Sequence, residues 1–285
     1  MRRFRIGITI VLISLLTGCG NSTNISEEPP QTEMDSSNLN IENIVGESDS
    51  DDIAEDENHA EDIAEETDGS DDEDILYLKP CATYQDILDN AYEMILFGRT
   101  ADKVVEADEI FSSVGIWEAG MGRDTNEALS AIGYTFYDVD GNGTEELIIA
   151  DTGEGLWDNR ILLMYTLCED KPVLVIDGWV RNRYYLLNDG TIYNEGSSGA
   201  AYTEFGTYRI AEDGNSLEVI DYYYSGYYGD SVYGWFYNTT GEHTYDENAI
   251  IEFKDEDVPW NMMEDYIAQV KALELTFFEE YKENQ

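Results

Sequence analysis

The sequence predicts an α+β fold: an antiparallel β-meander with helices before it and one helix after it, preceded by a disordered acidic tether. Three observations predict it. Apolar residues between positions 83 and 131 recur at helical spacing. From Tyr134 onward, short β-branched and aromatic runs alternate with turn residues, and a second helical pattern starts at Trp260. The first 75 of the 285 residues lack the apolar content of a core. The domain is therefore assigned to residues 76–285, long enough for one well-buried core.

The amino terminus carries Arg2, Arg3 and Arg5 ahead of an apolar run from Ile6 to Leu16. That run is short of the roughly 20 residues a membrane-spanning helix needs, and it fits the apolar region of an export signal. The next residues, Leu16-Thr17-Gly18-Cys19, resemble the lipobox of bacterial lipoproteins. The resemblance implies a signal peptide over 1–18, cleavage before Cys19 and lipidation of the Cys19 thiol. It implies a protein lipid-anchored at the extracellular face of the bacterial cell membrane, since two or more acyl chains hold a protein there lastingly.

Residues 19–75 follow as a linker. Positions 20–75 hold 21 of the chain's 62 Asp and Glu and no Lys or Arg. Low hydropathy with like charge cannot offset the entropy of ordering, which predicts disorder. Two short echoes, Asp52 to Asp56 and Asp62 to Glu66, are low complexity and not a structural repeat. A flexible chain of this length reaches about 40–45 Å, more under self-repulsion, which suits a spacer off the membrane. A weak cation sponge is the other reading.

The formal charge is −47. From residue 76 onward, 41 acids stand against 12 bases, a net of about −29. Such a field repels nucleic-acid phosphates, whose binding needs Lys and Arg, so no nucleic acid is expected as a partner. Cations and neutral or basic ligands are favoured.

Helices are expected over 83–98, with Thr83 as N-cap, over 103–111, and over 125–131. Strands are expected over 133–138, 146–150, 161–167, 172–177, 184–188, 192–194, 203–210, 217–224, 233–237 and 249–253. Asn188-Asp189-Gly190 and Asp213-Gly214 are hairpin turns by composition. A last helix is expected over 260–281, capped by Asp257 and with Pro259 in its first turn. Met263, Ile267, Val270, Leu273, Leu275 and Phe277 would line one side of it.

One loop carries specific chemistry. Asp138, Asp140, Asn142, Thr144 and Glu146 place oxygen-bearing side chains at alternate positions, with glycines at 141 and 143. Calcium takes six to eight oxygen ligands, and Gly143 allows the left-handed backbone a chain needs to wrap an ion. The start of the segment resembles the first half of an EF-hand loop, but Ile149 stands where that family has its bidentate Glu. It more closely resembles the Asp-x-Asp-Gly-Asn-Gly loops of integrin-type β-propeller repeats. That resemblance implies a strand-to-strand loop in which Asp138, Asp140, Asn142 and Glu146 give side-chain oxygens and Thr144 its carbonyl to a structural calcium ion. The loop occurs once, which argues against a full propeller. A plain polar hairpin would use the same turn residues.

Tyr224, Tyr228, Tyr233 and Trp235 form an aromatic group that is a candidate ligand surface for a glycan or protein, and also suits half-core strand positions. Gly153 to Asp158 reads either as a ligand loop or as a plain connection. Catalytic motifs are lacking. His59 and His243 have no HExxH-type spacing, and no Gly-x-Ser-x-Gly elbow occurs. With Cys19 lipidated, Cys81 and Cys168 remain, either bridged or as two small apolar residues.

The functional expectation is a cell-surface, lipid-anchored, calcium-stabilised binding or interaction domain. The alternative is a surface hydrolase acting on carbohydrate or cell-wall polymer through a carboxylate pair. For the anchor, Cys19→Ser should move the protein from the membrane pellet to the soluble fraction on cell fractionation. Continued membrane retention of that variant would remove the lipobox reading.

Overall fold

A computed structural model describes residues 74–284, except 154, 200, 229–231, 245–249, 252, 254 and 256. The expected signal peptide, Cys19 and nearly all of the linker lie outside the described residues. Ile75, assigned to the linker on sequence, instead begins strand β1 (Ile75–Tyr77). No helix among the described residues is long and apolar enough to cross a membrane.

Helix α1 (Tyr84–Phe97) starts at Thr83, whose hydroxyl accepts from the Asp86 amide while Asp86 reaches back to the Thr83 amide. This reciprocal cap satisfies two orphan donors at once. Ile87, Leu88, Ala91, Met94 and Ile95 are its buried stripe. A helix over 103–111 does not form. Lys103–Val105 is strand β2, parallel to β1, because its β-branched valines suit a pleated pairing. Beyond it the carboxylates of Glu106 and Asp108 accept from the amides of Ser113 and of Cys81 and Ile110, a local alternative to helical hydrogen bonds. Helix α2 (Val114–Gly120) follows, with no side-chain cap to announce it. Helix α3 (Thr125–Ala131) is capped reciprocally by Asp124 and Glu127.

The rest is a β-meander with an antiparallel sheet of 11 strands. Strands β3 (Ile132–Tyr137), β4 (Glu146–Asp151) and β5 (Arg160–Cys168) pair in sequence. β5 then pairs both β6 (Lys171–Asp177) and, through Ile161, β7 (Asn182–Leu186). The sheet continues through β8 (Ile192–Gly199), β9 (Tyr202–Ile210), β10 (Leu217–Tyr228), β11 (Val232–Asn238) and β12 (Ile250–Ile251).

The closing segment departs from expectation. Helix α4 (Val258–Ile267) has Pro259 in its first turn but no cap bond from Asp257, and it ends after 10 residues. The Lys271 amide then donates to Leu186 O, Leu273 N donates to Asn159 Oδ1, and β13 (Thr276–Phe277) pairs with β3. Leu273, Leu275 and Phe277 are spaced by two. That is a strand period laid on the end of a helical one.

Two cores lie on opposite faces of β4. Leu147 and Ile149 pack with Ile87, Met94 and Ile116 of the helices and with Phe278, while Ile148 and Ala150 pack with Met164, Leu186 and Ile192. A third cluster seats Tyr266 and Ile267 of α4 on Tyr185, Tyr193 and Phe205. Cys81 and Cys168 are free thiols. Cys81 is buried under the helices, and desolvation pushes its thiol up to about 11. Ile149→Ala removes a side chain with no exposed surface and should cost about 2–5 kcal/mol in urea denaturation. A loss under 1 kcal/mol would show that β4 is not the centre of packing.

Candidate functional site

Tyr137 pairs with Glu146 across the β3–β4 hairpin, so residues 138–145 form its loop. The loop turns through Gly141 and Gly143, at φ +75° and +89°, where a Cβ would be strained. Side chains hold it from within. Asp138 Oδ2 accepts from the Gly143 amide at 3.0 Å, Asp140 Oδ1 from the Asn142 amide at 3.0 Å, and Asn142 Oδ1 from the Thr144 amide at 2.7 Å.

The winding brings carboxylate oxygens of Asp138, Asp140 and Glu146 within 4.8 Å of one another, an arrangement that could hold a metal ion. Asp140 is exposed, Asp138 half-buried and Glu146 only 1% exposed. Asn142 leans into the group, its Nδ2 donating to Asp140 Oδ2 at 2.9 Å, and Thr144 is exposed at the rim.

The electrostatics are lopsided. Glu146 Oε2 accepts from the Val139 amide at 2.8 Å, and no cation pairs with it among the described residues. The other two buried acids do have cations. Asp151 meets Arg123 at 2.6 Å and Arg160 at 3.3 Å, and Glu195 meets Arg183 at 2.6 Å. Desolvation, then the charges of Asp140 and Asp138, push the Glu146 carboxyl up to about 7 against the pull of the Val139 amide. Asp138 Oδ1 is buried with no donor among the described residues. A buried charge left uncompensated is costly.

One neighbour gave no signal in the sequence. Tyr84, on α1, donates from its hydroxyl to Tyr165 O at 3.0 Å and approaches Glu145 O. Burial, followed by the Glu146 charge, pushes that hydroxyl up to about 12.

The aromatic group does not form one surface. On β10, Tyr222, Tyr224 and Tyr228 alternate with Tyr223, Ser225 and Tyr227, and successive strand residues face opposite ways. Tyr224 is 1% exposed, stacked on Tyr222, Phe236 and His243, with its hydroxyl bonded to Thr244 O. It is core, which corrects its assignment to a ligand surface. Tyr233 and Trp235 lie on the other face, opposite Tyr227 and Ser225. Tyr233 is 46% exposed, and Trp235 is half-buried against Phe205 and Trp260. Tyr228 pairs with Val232 at the hairpin end. Gly155–Trp157 is a single 3₁₀ turn whose Trp157 covers the Arg160 guanidinium at 4.8 Å.

No protein-family model, curated protein or solved structure matches the chain.

The Glu146 shift fixes a pH dependence. An unfolded Glu titrates near 4.3, so between there and about pH 7 the metal-free folded domain keeps a proton that the unfolded chain has released. Its contribution is complete below the unfolded value and is lost as pH rises through 7. In chelator, the urea midpoint should therefore fall between pH 5 and 7.5, and Glu146→Gln should flatten that component. An equal fall in Glu146→Gln would assign the dependence to other groups.

Proposed function

We propose that the chain is a lipid-anchored protein of the bacterial cell surface, whose domain is clamped by calcium at the β3–β4 loop and binds a ligand outside the cell. The observation that carries the clamp is Glu146, a buried carboxylate facing two further carboxylates, with no cation paired to it among the described residues. The donor set consists of oxygens alone, from Asp138, Asp140 and Glu146, with the Asn142 oxygen and the Thr144 carbonyl close in sequence. Oxygen donors suit a hard cation, whereas zinc prefers nitrogen and sulfur. A wound loop of mixed carboxylates, amide and carbonyl suits the loose geometry of calcium better than the strict octahedron of magnesium. The ion's place at the root of a hairpin, under a buried strand, makes it structural.

The anchor rests on Leu16-Thr17-Gly18-Cys19 and the basic and apolar segments before it. An exported domain meets calcium at concentrations that weak extracellular sites match, with dissociation constants of about 10⁻⁴–10⁻³ M. The acidic surface draws cations towards it.

Calcium at about 100 times its dissociation constant should stabilise the domain by about 2.7 kcal/mol, which raises the melting temperature by about 5–10 °C at this size. Asp140→Ala should abolish the increase, since among the described residues the hydrogen bonds of the exposed Asp140 stay within its loop. Differential scanning calorimetry in calcium and in chelator checks this. Superimposable melting curves would remove the clamp.

A further inference from the structure

α4 covers one face of the sheet at β7–β10, over Tyr185, Tyr193 and Phe205. The opposite face carries Asn182, Tyr184, Asn194, Glu204 and Tyr208, brought side by side by register. Tyr184 stands opposite Asn194, Asn182 opposite Gly196, and Gly196 opposite Glu204. Together with Trp179 and Arg181 of the β6–β7 turn and His243 of the β11–β12 connection, they line a groove of about 490 Å³. That volume lies in the range of small-ligand sites.

We propose that this groove binds an uncharged sugar unit of a polysaccharide. The inference rests on reading the domain as a binding module and names that module's ligand class.

Sugars present hydroxyls that both donate and accept, next to a C–H face that packs on aromatic rings. The groove offers both kinds of partner, on side chains held in place. Asn194 is only 3% exposed, and its amide donates to Asn182 Oδ1 at 2.8 Å and Arg183 O at 3.1 Å. Both donor hydrogens are thereby used, and its Oδ1 has no donor among the described residues. Glu204 Oε2 accepts from the Tyr222 hydroxyl at 2.6 Å and lies 2.8 Å from His243 Nε2. The imidazole is itself stacked on Tyr222 and Tyr224.

Glu204 Oε1 accepts no hydrogen bond among the described residues. It occupies the space over Gly196, where a Cβ would fall 2.7 Å from it. Arg181 is exposed, makes no ion pair among the described residues, and brings up to five N–H donors to the rim. Trp179 is 37% exposed and is pinned by two backbone hydrogen bonds with Asn182. It supplies the flat apolar face.

Charge and topology narrow the class. A domain of net charge about −29 repels anionic polymers. Within the groove, the one carboxylate is already met by His243 and Tyr222 and is accompanied by Arg181, so a cation gains little there. A peptide adding itself as a strand needs a free sheet edge; β8 and β9 are paired along both sides, and β7 is paired along β8 and, at Tyr184, with Ile161 of β5. Glycoside hydrolysis needs two carboxylates about 5–9.5 Å apart, and among the described residues lining the groove only Glu204 is acidic. The groove therefore binds without cleaving.

The test titrates the detergent-solubilised full chain, in calcium, with cellohexaose, xylohexaose, maltohexaose and chitohexaose, read by calorimetry and tryptophan fluorescence. At least one should bind with submillimolar affinity. Trp179→Ala should weaken it about tenfold, the 1.4 kcal/mol equivalent of one stacked ring, while Trp179→Tyr should hold it within about threefold. Arg181→Ala, at an exposed side chain with no ion pair to lose, should weaken it about fivefold, the worth of one hydrogen bond. That variant keeps the test sound if Trp179→Ala misfolds by circular dichroism. The proposal is overturned if none of the four sugars binds at 10 mM, if both alanine variants bind unchanged, or if chromatography shows shortened sugars. A chain that calcium stabilises but that binds no sugar overturns this inference alone and leaves the metal clamp standing.

Discussion

Strand β4 is buried at all six of its positions, and it begins and ends on an acid. Its interior, Leu147 to Ala150, supplies apolar surface to the cores on both faces of the sheet. Its ends must then compensate charge inside the domain, where desolvation is expensive. At Asp151 the chain does this itself. Arg160 arrives from β5, and Arg123 from the α2–α3 turn also donates to Ala119 O and Thr152 O. That one carboxylate ties the helical layer to the sheet. Even so, desolvation outweighs both arginines and raises the Asp151 carboxyl above its ordinary value. At Glu146, the other end, the chain provides an amide and two more acids. The same strand meets one acid with arginines and groups the other with two further acids that could hold a metal ion.

Much of this was legible in the sequence. The strands from Gly133 to Tyr237 emerge from alternation and turn residues because their faces differ in burial, and the loop at Asp138 emerges because its alternating acids converge on a group that could hold a metal ion. What was lost obeys different physics. The segment after Ala268 carries Leu273, Leu275 and Phe277, which satisfy a helical stripe loosely and a strand period well. Only the partners offered by Leu186, Asn159 and β3 decide between them. Lys103–Val105 likewise became a strand because Ile75–Tyr77 lay beside it. Pairings between distant segments are invisible to a window of a dozen residues.

The aromatic residues show the same division more sharply. Tyr224 and Tyr233 belong to one tyrosine-rich stretch, yet a strand sends neighbours to opposite faces, and the hairpin sets which face each meets. Tyr224 went inward among rings and Tyr233 outward. Residues of the sheet groove had no motif at all. Asn182, Asn194 and Glu204 are ordinary polar residues in sequence, joined only by a register that depends on the β7–β8 and β8–β9 turns.

The acidic loop and the groove share structure. Val139, inside the loop, is buried in the cluster that holds Ile148 of β4, Leu186 of β7 and Ile192 of β8, and its carbonyl lies against Gly190 in the β7–β8 turn. Its amide is the donor to Glu146 Oε2. A cation that draws Asp138, Asp140 and Glu146 together therefore also fixes a side chain packed at the ends of β7 and β8, the strands that carry Tyr184 and Asn194. Rigid polar groups bind sugars better than mobile ones, because less ordering is left to be done on contact. A cation bound at the root of β4 would thus steady the sheet face on which the ligand would lie.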